Sequence, residues 1–130
     1  MPIPNIPMHA FRKQKLLSWT FHARAKMAHY RLSPMRVRRV LNAPKRVEGG
    51  VAPRTIAMMQ PASLKSGAGR AGAKKQERWT QEIWVMVQDT SRERKVISAW
   101  RYPGVTKPRG DIATNLIREA YNEYANNPRQ

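Results

Sequence analysis

At 130 residues the chain has room for one hydrophobic core, because a single core spans about 100–200 residues and two cores in this length would each be marginal. It contains no cysteine, which excludes disulfides, thiolate metal sites and thiol nucleophiles and fits a reducing compartment, so a cytoplasmic location is expected. The net charge of +17 is one-sided: residues 1–75 hold 16 Lys/Arg and a single acid, Glu48, whereas residues 76–130 hold nine Lys/Arg and seven acids.

The first 15 residues are broken by Pro2, Pro4 and Pro7, each of which removes a backbone donor and biases its predecessor away from helix. An extended basic arm over residues 1–15 is expected, followed by one domain over residues 16–130. The arm's charges follow its apolar part, the reverse of a secretory signal. No run reaches about 18 apolar residues, so a soluble chain without a membrane partner is expected. In the stretch LLSWTF, Leu17, Trp19 and Phe21 alternate with Ser18 and Thr20, the period-2 pattern of a short strand. Residues 22–30, HARAKMAHY, read as a short helix with Ala23, Met27 and Tyr30 as its apolar stripe. Ser33 and Pro34 then read as an N-cap and a first helical residue, opening a second helix with Val37, Val40 and Leu41 inward and an end near Asn42.

After Pro44, two strands are expected around Gly49 and Gly50. Residues 61–78 combine Gly, Ala, Ser and basic residues with little to bury, and read as a mobile basic loop. The runs WTQEIWVMVQ and RKVISAWRY, dense in β-branched and aromatic residues, are expected to pair as a hairpin. Beyond the Pro- and Gly-rich residues 103–110, a last helix is expected, with Asp111 as its cap and Ala113, Ile117, Ala120, Tyr121 and Tyr124 on its apolar face. The result is an α+β fold: two N-terminal helices packed on an antiparallel β-sheet, plus a C-terminal helix.

For chemistry, the stretch GAGRAGAKK has glycines but neither a preceding strand nor a GK[ST] ending, so no nucleotide cofactor is expected. The three histidines, His9, His22 and His29, form no HExxH pair and the acids are scattered, so no metal is expected. His22, Lys26 and His29 follow i, i+4, i+7 and share a helix face. Together with Arg31 at the helix exit they offer a proton-transfer group beside cations, which is what metal-independent RNA cleavage needs; a surface or phosphate-contacting histidine is the alternative. Arg24 on the first helix, Arg36, Arg38 and Arg39 on the second, Lys45 and Arg46 after it, and Arg101 and Tyr102 on the last strand are the candidate nucleic-acid contacts. Trp84, Trp100 and Tyr102 are candidates either for stacking on bases or for the core.

The stretch FHARAKMAHYRLSPMRVRRVLNAPKRV, with His22, Lys26 and Met27, the exit Arg31-Leu32-Ser33 and a helix ending before Pro44, resembles small bacterial domains of unknown function. These are regarded as relatives of RelE-like and BrnT-like toxins, with the barnase/colicin/RelE type of RNase fold. The strands EIWVMVQ and KVISAW look like their closing hairpin, so about residues 17–102 are covered. The resemblance implies a toxin-like endoribonuclease, with His22, Lys26 and Arg31 as its reactive end and an antitoxin protein as a further partner. The chain departs from the pattern in having Lys26 where an Arg is usual, and Trp100 at the Arg position of the final strand, with Arg101 adjacent. An RNA-directed protein therefore follows, an endoribonuclease by a narrow margin over a non-catalytic module binding RNA or the ribosome.

Overall fold

The computed structural model describes residues 15–49, 51–66 and 77–127. The elements run β1 (Leu16–Trp19), α1 (Phe21–Tyr30), α2 (Pro34–Asn42), β2 (Arg46–Gly49), β3 (Thr55–Pro61), β4 (Lys65–Ser66), β5 (Glu77–Arg78), β6 (Glu82–Asp89), β7 (Glu93–Tyr102) and α3 (Asp111–Ala125). Five strands form one sheet in the order β1-β7-β6-β3-β2, and β4 pairs with β5 in a separate two-stranded ladder. The class is α+β, as the alternation of periods implies, with one difference: β1 runs parallel to β7, so the sheet is mixed.

Each face of the sheet carries helices because the central strands are apolar on both sides. Ile83, Val85 and Val87 of β6 turn toward α1 and α2, meeting Ala23, Met27, Val37 and Val40. Trp84 and Met86, the alternate residues, turn toward α3, meeting Ala113, Ile117, Ala120 and Tyr124. A β-bulge breaks the alternation on β7, where Met86 faces Ser98 but Val87 faces Val96, leaving Ile97 as the extra residue. Ile97 and Trp100 therefore both join the α3 side, while Val96 and Ala99 join the other.

β1 covers only residues 93–96 of β7. Where β1 stops, Thr20 turns the chain: its hydroxyl donates to Val96 O at 3.1 Å and accepts from Ala23 N at 3.0 Å, capping α1. Phe21 thus opens the helix, 57% exposed, instead of closing the strand. Arg101 Nε donates to Tyr30 O at 2.8 Å and holds the other end of α1 against β7, supplying the acceptors that a helix C-terminus leaves unpaired with a donor. This placement brings α1 within reach of α3.

Ser33 caps α2 by accepting from Arg36 N, with Pro34 at the first turn, as expected. At α3 the N-cap is Gly110, with no side-chain cap, and Asp111 lies one residue inside the helix, where its charge still suits the positive end of the helix dipole. The edges of the expected loop 61–78 are structured: Pro61 ends β3 and residues 65–66 pair with 77–78. Residues 67–76, like the expected arm up to residue 14, lie outside the described residues.

Candidate nucleic-acid interface and the histidine groove

The candidate basic contacts separate into two groups according to what holds them. Arg36 donates to Gln60 Oε1 and to Pro61 O at 3.1 Å, clamping α2 to the end of β3. Arg46 donates to Thr106 O at 2.6 Å and to Thr106 Oγ1 at 2.9 Å, fixing the segment before α3 onto β2. Arg101 joins α1 to β7 as described and also donates to Gln81 Oε1 at 3.2 Å. Lys45 is ion-paired with Glu77. All four were candidates for phosphate contact, and the fold uses them to hold its own carbonyls, carboxylates and hydroxyls.

Arg24, Arg31, Arg38 and Arg39 form the other group. All four are exposed, and among the described residues none of their side chains has a hydrogen bond or an acidic partner. Arg38 lies over the ring of Trp19, 5.8 Å from its centroid. At about 100° per residue, Arg24 and Arg31 fall within about 20° of one another on α1. They lie on the flank away from His22. On α2, Arg38 and Arg39 flank Met35, which is 78% exposed, opposite the buried Val37 and Val40. Since both helices cover the same face of the sheet, these four arginines share its outer surface.

Arg31 was grouped with His22 and Lys26 at the sequence level, and helix geometry separates them. Nine residues amount to about 900° of turn, which puts Arg31 on the side opposite His22 and about 13 Å along the axis. Its own backbone is the left-handed cap of α1, at φ 54°. His29 takes its place: His22, Lys26 and His29 line one shallow, open groove of about 570 Å³ between α1 and the end of α3, with Ala25, Glu123, Asn126 and Asn127. Lys26 Nζ lies 3.1 Å from a Glu123 carboxylate oxygen. His22 is 4% exposed, its Nδ1 sits 3.1 Å from Asn127 Nδ2, its ring lies beside Tyr124 at 6.0 Å, and its Nε2 is buried without a protein partner.

Burial pushes the His22 pKa below the ordinary 6.5, and Lys26 adds to this while Glu123 opposes it. The ring is therefore neutral at pH 7, and Nδ1 accepts from the Asn127 amide. A group with a depressed folded pKa binds fewer protons folded than unfolded, so its contribution is complete above the unfolded value and is lost as pH falls from 6.5 through the folded value. Melting temperature is expected to drop between about pH 7.5 and 5, above the main carboxylate range, and His22→Gln is expected to flatten that slope. An unchanged slope in the variant would remove His22 as its source.

Of the two readings of the aromatic candidates, the core one holds for both tryptophans. Trp84 and Trp100 are 0% and 5% exposed and stack on each other at 5.9 Å, so they are core and present no face to a base. Tyr102 is half-buried against the α3-side core. Sequence reasoning missed Glu123 and Asn127, which complete the groove. The signal was available in part, since Tyr124 is on the buried stripe of α3 and Glu123 is its neighbour.

Among the described residues no three His, Cys, Asp or Glu side chains come together as a metal site, and no helix is long and apolar enough to cross a membrane. The chain matches no family model, and no similar curated protein or solved structure is found.

Proposed function

We propose that the chain binds RNA, free or in the ribosome, through the outer surface of α1 and α2. The observation that carries this reading is the set of four exposed arginines, Arg24, Arg31, Arg38 and Arg39, without acidic partners among the described residues on a chain of net charge +17. Most of the other candidate cations are held by partners within the fold, so these four are not required for it. Their arrangement suits phosphate contact, which positions a nucleic acid without reading its sequence. With Trp84 and Trp100 in the core, base stacking is left to the exposed Phe21 at the start of α1, and contact mainly to phosphates gives weak sequence preference.

A second reading is metal-independent RNA cleavage in the histidine groove, supported by the meeting of His22, Lys26 and His29 there. A neutral His22 suits a base for the 2′-OH proton, and Lys26 suits the charge developing on the phosphorus oxygens. Both His22 nitrogens are covered, however, so cleavage requires the Asn127 end of α3 to move aside. His29 is the exposed imidazole of the groove. An antitoxin protein as regulator belongs to this second reading.

One incubation separates the two. Single-stranded RNA is titrated with the protein from about 50 to 200 mM salt, and affinity is expected to fall steeply, log K changing by roughly 0.7 per phosphate contact for each tenfold in salt. Binding that does not depend on salt contradicts the proposal. RNA left intact at saturation assigns binding alone. RNA cut in EDTA, with cutting lost in His22→Gln while affinity is kept, establishes the second reading.

A further inference from the structure

A second, smaller space lies behind the Lys26–Glu123 pair. It is an open crevice of about 100 Å³ between α1, α3 and β7, lined by Lys26, Tyr30, Ser98, Trp100, Glu119 and Glu123 among others. Its floor is unusual in one respect. Ser98 Oγ and Trp100 Nε1 are buried and have no hydrogen-bond partner, on residues 0% and 5% exposed. Leaving a buried polar group without a partner is costly, so two together against one crevice mark a place where something else supplies the partner. Both residues are on the α3 side by the ordinary alternation of β7, Ser98 pairing with Met86 and Trp100 with Trp84.

The donor set says what that partner is. An indole N–H and an ammonium only donate, and a hydroxyl can do so too. An occupant with acceptor oxygens can serve Trp100, Ser98 and Lys26 together. Lys26 is one positive charge, already engaged by a carboxylate of Glu123, whose side chain is 54% exposed and free to swing outward. One cation neutralises a monoanion, and the nearby Glu119 carboxylate disfavours a dianion. The crevice, about 100 Å³ and open to solvent on one side, admits a carboxylate with the carbon that bears it.

We propose that this crevice is a carboxylate-binding site, in which an organic monocarboxylate replaces Glu123 on Lys26 and accepts hydrogen bonds from Ser98 Oγ and Trp100 Nε1. The carboxylate belongs to a small free acid or to the C-terminus of a peptide. The site is independent of RNA binding by the arginine surface, on which none of its residues lies, and shares Lys26 and Glu123 with the histidine groove.

The Trp100 indole N–H is the reporter. The chain has four tryptophans, and its signal is assigned among the four indole resonances by Trp100→Phe. The full chain is titrated with sodium acetate against sodium chloride at equal ionic strength. A second arm compares N-acetylglycylglycine with its C-terminal amide. The expected result is a saturable shift of the Trp100 resonance with acetate or the free-acid peptide, none with chloride or the amide, and the tighter of the two acids identifies the source. Glu123→Gln, which removes the resident competitor at an exposed position, is expected to tighten binding several-fold. Lys26→Met, at a position that remains partly exposed, is expected to abolish it while the other three indole signals stay in place. No saturable shift, meaning the polar atoms are served by water only, overturns the proposal, as does a shift given equally by the amide or kept in Lys26→Met.

Discussion

Replacing Arg24, Arg31, Arg38 and Arg39 together by glutamine is expected to lower affinity for single-stranded RNA by about 10²–10³-fold at low salt and to reduce the salt slope by about 3, at roughly 0.7 per lost phosphate contact. The melting temperature should hardly change, because the four side chains are exposed and make no hydrogen bond or ion pair with the described residues. Arg36→Gln and Arg101→Gln are expected to do the opposite. Each of those side chains holds backbone carbonyls, Pro61 O for Arg36 and Tyr30 O for Arg101, so their loss should lower the melting temperature and leave the slope nearly unchanged. Parallel RNA titrations and thermal melts of the three variants check both halves. A fourfold variant with the parent's affinity would place binding elsewhere, whatever its stability.

The second large effect belongs to Glu82, a carboxylate with 0% exposure. It accepts from Trp79 Nε1 at 2.9 Å, Trp84 Nε1 at 3.1 Å, Thr106 N at 3.2 Å and Thr106 Oγ1 at 2.7 Å. Arg46 in turn donates to the same threonine and lies 5.3 Å from the Trp84 ring centroid. The network ties β6, β2 and the approach to α3 together. Glu82→Ala strands four donors, and the expected loss is about 3–5 kcal/mol, the range for breaking a buried charged network. A fall in melting temperature of more than about 10 °C should accompany it in a domain of this size. Glu82→Gln turns an amide N–H₂ toward donors on one side and should recover only part of the loss. A variant as stable as the parent would show the network to be dispensable.

What was legible in the sequence follows from periodicity. The α2 caps at Ser33 and Pro34, the β6–β7 hairpin and the buried face of α3 all follow from local pattern, and all are present. The parallel pairing of β1 with β7 was not legible, because it joins residues 16–19 to 93–96 and no local signal reports it. The same distance in sequence hid the roles of Arg36, Arg46 and Arg101. A basic residue on an amphipathic segment reads as solvated until its partners are known, and these partners lie 24, 60 and 71 residues away. Arg31 differs, since helix phase alone places it opposite His22 and the sequence contained that information. Glu82 read as an ordinary polar residue at a strand start. The two tryptophans that bracket it, Trp79 and Trp84, each carry an N–H needing an acceptor once buried, and they were the available hint.

The claim that the arginine surface of α1 and α2 is the RNA interface is tested most directly by mapping backbone amide shifts as single-stranded RNA is added at low salt. The perturbed amides are expected to cluster at residues 24 and 28 of α1, its cap residue 31, and residues 35, 38 and 39 of α2, and to return to their free positions as salt is raised. Shifts centred on β2 or on the N-terminal turn of α3, with those two helices unperturbed, would contradict the account.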